Sequence, residues 1–192
     1  MNKILWIDTE TTGLSSWKNG IIQLSGFIEI DGVVVAEFDF NVKPFPKDEI
    51  DNKALEVNKV TRQDLECFQS PQEVYNEFVN MLNNYVNRFD KEDKFILAGY
   101  NINFDKEFLK AWFKKCGDNY FHSYVDYHVL DVMSAAMIYV MAKRKKLANL
   151  KLATICGHFG IEANFHNSMD DIRATKEVYH RIMYHLQEGE EG

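Results

Sequence analysis

Lys3-Ile-Leu-Trp-Ile-Asp8-Thr9-Glu10-Thr11-Thr12-Gly13-Leu14 is an apolar run that ends in two acids separated by one residue. Residues two apart on a strand face the same side, so Asp8 and Glu10 point at one small volume. Two unpaired carboxylates there repel, and each raises the other's pKa unless a cation sits between them. Hard oxygen ligands of this kind suit Mg²⁺ or Mn²⁺ better than zinc. Read alone, the pair fits equally well the solvated end of a strand. The residues that follow tilt the balance toward a metal site. Thr9, Thr11 and Thr12 add hydroxyls and backbone N–H groups, Gly13 lets the main chain approach a ligand closely, and Leu14 adds one apolar side chain.

Two further acid-bearing segments stand downstream. Lys94-Phe-Ile-Leu-Ala-Gly99 reads as a short strand closed by glycine, and Asn101-Ile-Asn-Phe104-Asp105 follows it to open an amphipathic stretch that runs to Lys115. Phe104, Phe108, Leu109, Trp112 and Phe113 recur there at helical spacing as a core-facing stripe. Asp105 falls in the first turn, where the helix dipole alone favours a carboxylate by about 0.3–1 kcal/mol. Asn101 and Asn103 read equally as capping and turn residues. The third segment is His166-Asn-Ser-Met-Asp170-Asp171, ahead of a helical run from Asp170 to Gln187. A loop histidine and an acid in the first helical turn can face one cleft, and each also has an ordinary structural explanation. His122, His128, His158, His180 and His185 lack comparable company and read as structural.

Together, Ile7-Asp8-Thr9-Glu10-Thr11-Thr12-Gly13-Leu14, Asn101-Ile-Asn-Phe-Asp105 and His166-x4-Asp171 resemble the three motifs of the DEDDh 3′→5′ exonuclease family. That family includes proofreading epsilon subunits of bacterial replicative polymerases and ribonuclease T. The resemblance runs from about the second residue to the last helix, with further matches at Ile21-Ile-Gln-Leu24, Ala54 to Thr61 and Leu150 to Ile161. It implies that Asp8, Glu10, Asp105 and Asp171 bind two Mg²⁺ (or Mn²⁺) ions around the scissile phosphate, one activating a water and the other steadying the leaving 3′ oxygen. Asp8 would bridge the ions, Glu10 and Asp171 would serve the nucleophile side, and Asp105 the other. His166 would be the general base, a role that an ordinary imidazole pKa of about 6.5 also allows. Thr11, Gly13, Leu14 and Phe104 resemble the positions that line the terminal-nucleotide pocket. Thr9, Thr12 and Asn101 complete the expected substrate-binding set. Two departures stand out: Asn58-Lys59 replaces a His-Gly pair of many relatives, and Gly99-Tyr100-Asn101 replaces Gly-His-Asn.

The 192 residues, 46% of them apolar, suffice for one substantial core, and no repeat or linker divides them. The expectation is a single exonuclease domain over 1–188 and a short acidic tail over 189–192. Neither a leader segment nor an uninterrupted apolar window of about 18 residues is visible, so a cytoplasmic (intracellular) protein without membrane contact is expected. Cys67, Cys116 and Cys156 form no Cys-x-x-Cys pair and read as buried thiols. The net charge of −7 speaks against a broad electrostatic grip on duplex nucleic acid. Lys143-Arg144-Lys145-Lys146 is the one dense basic run, read first as a solvated helix end and second as a guide for a single strand.

Strands are expected near Ile4 to Ile7, Ile21 to Ile30, Val33 to Val42, Phe95 to Ala98 and Tyr124 to His128, with a two-residue hairpin turn at Asp31-Gly32. Helices are expected near Lys53 to Val57, Thr61 to Glu66, Pro71 to Phe89, Phe104 to Lys115, Val129 to Lys145, Leu150 to Phe159 and Asp170 to Gln187. This order fits a mixed α/β sheet, and the resemblance implies the ribonuclease H-like fold, five strands flanked by helices. Val33-Val-Val35 reads as core rather than as a dimer edge. The expected activity is metal-dependent 3′→5′ hydrolysis of single-stranded DNA or RNA 3′ ends, DNA favoured, releasing nucleoside 5′-monophosphates. The rivals are a ribonuclease T-like RNA-trimming enzyme, a proofreading subunit working with a polymerase or replisome partner, and a phosphatase of small nucleotides.

Overall fold

The computed structural model describes residues 2–165 and 167–187; His166 and the expected tail at 189–192 lie outside them. Among the described residues, five strands form one mixed sheet: β1 (Lys3–Thr11), β2 (Ile21–Ile30), β3 (Val33–Asn41), β4 (Phe95–Gly99) and β5 (Val125–Asp131), in the order β3-β2-β1-β4-β5. β1, β2 and β3 are antiparallel neighbours, whereas β4 and β5 run parallel to β1. The β2–β3 turn holds Asp31 and Gly32 at φ of 48° and 86°, the left-handed pair that matches strand twist in a two-residue hairpin. The described residues also form seven α-helices: α1 (Asn52–Asn58), α2 (Arg62–Cys67), α3 (Pro71–Asn83), α4 (Asn103–Lys115), α5 (Val132–Ala142), α6 (Leu152–Phe159) and α7 (Ser168–Gln187). The mixed, helix-flanked sheet expected from the sequence is what the chain forms.

Strand alternation divides the core into two layers, one on each side of β1. Leu5 and Ile7 pack with Phe78 of α3 and Phe108, Trp112 and Phe113 of α4. Trp6, between them in sequence, packs on the opposite face with Val132 and Ala136 of α5, Ile155 of α6 and Val178 and Ile182 of α7. By the same period of two, Asp8 and Glu10 continue the Trp6 face toward α7, while Thr9 continues the Leu5–Ile7 face toward α4.

Boundaries move where long-range pairing outvotes local pattern. β1 passes through both acids to Thr11 because its ladder with β2 continues to Thr11↔Ile21, across an irregularity after Glu10. Val129 to Asp131, expected in a helix, stay in β5 because they pair with Leu97 to Gly99. α3 stops at Asn83, short of Phe89, and α5 spans Val132–Ala142 rather than reaching Lys145. Two expectations are corrected. The cysteines are not uniformly buried: Cys67 is exposed, Cys116 partly buried and Cys156 buried. Val33, at 64% exposure, Val34 and Val35 are surface residues on β3, an edge strand; Phe38 is its first buried side chain.

Candidate active site

Asp8 sits on the even-numbered face of β1, opposite Ser25 of β2, and Glu10 sits opposite Gln23. Ser168, the first residue of α7, places its hydroxyl within hydrogen-bonding reach of both the Asp8 carboxylate and Gln23 Oε1, the latter at 3.2 Å, and its single proton serves one of them at a time. The helix start is thereby tied to both strands. Burial first, then the negative charges of Asp105, Glu10 and Asp171, push the Asp8 carboxyl well above the usual carboxylate range, with Ser168 opposing. The fields of all four expected acids thus meet at one carboxylate, contributed by three separate elements: β1, α4 and α7.

Asp105 enters from the other layer. It is 5% exposed, and its Oδ1 accepts from the Thr9 N–H at 2.9 Å and the Thr9 Oγ1–H at 2.7 Å. These bonds favour the charged form. Burial nevertheless outweighs them, and with Glu10 adding repulsion the carboxyl is pushed up to about 7. An ordinary first-turn helix acid is stabilised as an anion by the dipole, so Asp105 is held against its own electrostatic preference. Among the described residues no side chain caps the start of α4, and its first turn instead delivers this buried acid. At the start of α7 the two adjacent acids separate: Asp171 bears on Asp8, whereas Asp170 faces Arg173 at 3.9 Å.

A cavity of about 380 Å³ opens beside these acids. One wall is built from Thr9, Glu10, Thr11, Gly13, Leu14 and Phe104, all expected from the sequence. The opposite wall is α1 and its cap, with Asp51, Lys53, Ala54, Val57 and Asn58, to which the sequence pattern assigned no role. The family similarity over Ala54 to Thr61 was the available signal. Asn58 Nδ2 donates to the Thr11 carbonyl at 3.0 Å and so fixes α1 against the end of β1. Leu14 is 89% exposed at the rim, while Phe104 is half-buried. Gly13 is required by close approach, since a Cβ there would lie 2.6 Å from the Asn19 side chain.

Thr12 and Asn101 occupy different situations from the rest of the expected substrate set. Thr12 is fully buried; its hydroxyl donates to the Glu49 carbonyl at 2.7 Å and accepts from the Gly20 N–H at 2.9 Å. It shapes the cavity loop from behind. Asn101 is exposed at φ 59°, with its N–H held by Asp131 Oδ1 at 2.9 Å. Asp131 also accepts from Met133 N–H and Ser134 Oγ–H, so one side chain, unassigned from sequence, joins the β4–α4 turn to the start of α5. Tyr100, at the position where many relatives carry histidine, donates its hydroxyl to the Leu150 carbonyl at 2.5 Å.

The basic run does not share this end of the molecule. Lys145 and His185 both bear on His158, which puts the run near the C-terminal end of α7, about 25 Å along that helix from Ser168. Its reading as a strand guide into the acids is therefore set aside. Among the described residues, no three Asp, Glu, His or Cys side chains converge as a ready-made metal cage. The donor chemistry itself fits a hard divalent cation: clustered, partly buried carboxylates, two of them with strongly raised pKa, gain most from a positive charge between them.

Comparison with known proteins then bears on this arrangement. A family model described as Exonuclease (RNase_T) matches residues 5–179. The chain belongs to this exonuclease family. The enzyme class and family expected from the motifs are borne out. Curated relatives include the PolC-type DNA polymerase III of Thermotoga maritima, 30% identical over 179 residues, and that of Thermotoga petrophila, 28% identical. The match covers 92% of this chain but 12% of either polymerase, so the chain spans about one-eighth of their length. Among solved structures, E. coli exonuclease I in complex with a dT13 oligonucleotide superimposes with a TM-score of 0.74 at 17% identity, over 95% of this chain and 41% of that one. The zinc-bound form of an E. coli exonuclease I–ssDNA complex gives 0.77 at 16% identity, over 97% and 41%. Exonuclease I of Methylocaldum szegediense gives 0.76 at 17%, over 93% and 39%. These likenesses establish the fold. Among the described residues, no helix is long and apolar enough to cross a membrane.

Proposed function

We propose that this exonuclease-family domain is a divalent-metal-dependent 3′→5′ exonuclease that removes nucleoside 5′-monophosphates from single-stranded ends, with DNA favoured. The observation that carries the reading is the meeting of the Asp105, Glu10 and Asp171 fields at Asp8, beside a cavity with an apolar rim. Solved relatives of the same fold hold oligonucleotides, and curated relatives are DNA polymerases, which supports DNA over RNA.

In this reading Asp8, Glu10, Asp105 and Asp171 hold two Mg²⁺ or Mn²⁺ ions. When bound, the ions supply charge neutralisation at the phosphate, a more acidic attacking water and a steadied leaving oxygen. Oxygen-only donors favour these ions over the zinc present in one structural relative. The chain's own residues do the positioning. Thr9 fixes Asp105 through two hydrogen bonds, and Ser168 fixes Asp8. Leu14, Val57 and Phe104 give the terminal base an apolar enclosure, and the backbone around Thr11 to Gly13 faces the sugar. His166 accepts the proton of the attacking water, a role assigned from its sequence position.

The deciding experiment is hydrolysis of 3′- and 5′-labelled single-stranded oligonucleotides with Mn²⁺, comparing the native chain with Asp8→Ala. Loss of nearly all activity with the fold retained is expected; a fully active Asp8→Ala protein would overturn the reading. Matched DNA and RNA substrates separate the DNA-preferring enzyme from a ribonuclease T-like one. The polymerase relatives also favour a second reading, proofreading in company with a polymerase, for which co-purification of a polymerase with the full chain is the test.

A further inference from the structure

The outer face of β5 carries a feature that the catalytic site does not use. Tyr127 is 68% exposed, although its ring is large and apolar. Its ring stacks on His122 with centroids 4.2 Å apart and planes 22° from parallel. Lys94 Nζ lies 5.9 Å from the Tyr127 centroid, and Lys106 Nζ donates to the Tyr127 carbonyl at 2.5 Å. Lys106, Lys110 and Lys94 all bear electrostatically on His122. In a chain of net charge −7, three lysines around one open aromatic stack form a local reversal of sign. The nearest acid of β5, Asp126, is held by the His128 backbone N–H and ring at 2.8 and 2.7 Å and feels Lys94 more weakly.

Its position relates this cluster to the acids. Lys106 directly follows Asp105 on α4, and Lys110 lies one turn further on the same helical face. Tyr127 is four residues before Asp131, so it stands about 13 Å back along β5 from the end that anchors the Asn101 turn. A chain leaving the catalytic carboxylates over the first turns of α4 therefore meets the cluster early.

We infer that Tyr127, stacked on His122 and ringed by Lys94, Lys106 and Lys110, is a landing platform for the single strand upstream of the terminal nucleotides. Every base has a flat face that stacks on an aromatic ring, and the phosphates between bases match the lysines, so such a site binds single strands with little sequence preference. Lysines also guard exposed sheet edges such as β5, but edge protection does not require a bare tyrosine ring at their centre. The inference rests on the exonuclease reading of the acids and adds a second binding region to it.

The test compares the native chain with Tyr127→Ala, Tyr127→Phe and the double variant Lys94→Gln/Lys110→Gln, on a thymidine dinucleotide and a thymidine pentadecamer with Mn²⁺. The dinucleotide ends before the cluster. Tyr127→Ala should raise KM for the pentadecamer roughly tenfold, the scale of removing one base stack, and leave the dinucleotide unaffected, while Tyr127→Phe behaves as the native chain. The double variant should lower the salt dependence of pentadecamer binding by about 0.7 for each phosphate that a lysine no longer neutralises. An unchanged pentadecamer KM in Tyr127→Ala, or equal losses on both substrates, overturns the platform and leaves the exonuclease reading standing. A native chain that hydrolyses neither substrate overturns both.

Discussion

Replacing Asp105 with asparagine should make the metal-free protein more stable, and the gain should depend on pH. Burial raises this carboxyl from its ordinary 3.8 to about 7. At about 1.4 kcal/mol per pH unit, ionising it in the fold is disfavoured by about 4 kcal/mol. The sign follows from proton linkage. Between pH 4 and pH 7 the folded state binds a proton that the unfolded chain has released, so stability falls as pH rises; above about 7 both states are ionised and the full penalty remains. Asparagine keeps an oxygen for the Thr9 bonds and carries no charge. Its advantage over the native chain is therefore smaller at pH 5 and reaches about 4 kcal/mol at pH 8 as an upper bound, a difference near 3 kcal/mol. For a chain of this size that difference moves the thermal midpoint by roughly 6–12 °C. Thermal unfolding with a chelator at both pH values measures it. Addition of Mn²⁺ at pH 8 should raise the midpoint of the native chain more than that of the variant, because the ion offsets the cost of holding a buried charge that the variant lacks. An Asp105→Asn protein destabilised equally at pH 5 and pH 8 would refute the reasoning and return Asp105 to an ordinary helix-terminal acid.

Three further substitutions probe the cavity and its frame. Lys59 closes α1 at φ 56° and ψ 33°, a left-handed cap that glycine adopts without Cβ strain, so Lys59→Gly should add about 0.5–1 kcal/mol in denaturant titration. Thr12→Val removes the hydroxyl that serves Glu49 and Gly20 in a fully buried loop; a loss of about 2 kcal/mol is expected, and a change under about 0.5 kcal/mol would contradict the framing role. Leu14→Ala alters a side chain almost wholly in solvent. Its unfolding free energy should stay within about 0.5 kcal/mol, while KM for a single-stranded oligonucleotide rises several-fold; an unchanged KM would remove Leu14 from the terminal pocket.

The parts of this molecule that were legible in the sequence share a local cause. β1 announced itself by a continuous apolar run, α4 by a five-residue stripe at helical spacing, and the β2–β3 turn by Asp31-Gly32, since each signal lies within one element. What local pattern could not give was set by partners far along the chain. Only the β2 ladder tells β1 to continue past Ile7 to Thr11, and only β4 keeps Val129 to Asp131 extended. Val33 to Val35 have strand-like chemistry, but their exposure goes with the edge position of β3, which only the strand order sets. The choice between Asp170 and Asp171 depends on helix rotation relative to Asp8, which adjacent identical residues cannot signal. Asp131 and the α1 wall become part of the site through packing alone: a strand-end acid and an ordinary short helix carry no local signal of it, and the family similarity over Ala54 to Thr61 pointed only to the region.

The division of the core explains how so many like charges are kept together. Asp105 rides on α4, whose Phe108, Leu109, Trp112 and Phe113 are sunk in one layer. Asp171 rides on α7, whose Ile172, Val178 and Ile182 are sunk in the other. β1 lies between, and its Leu5–Ile7 and Trp6 faces anchor it to both. Each acid is thus backed by a helix or strand that buries several large apolar side chains, each contributing roughly 1.5–3 kcal/mol. That anchoring outweighs the burial and repulsion that oppose the charges of Asp8 and Asp105, so the carboxylates cannot relax by moving apart without unpacking a layer. A cation placed among them would join the two layers across the sheet. Its binding should therefore protect amides of both α4 and α7 from hydrogen exchange, and protection confined to one helix would contradict a site shared between them.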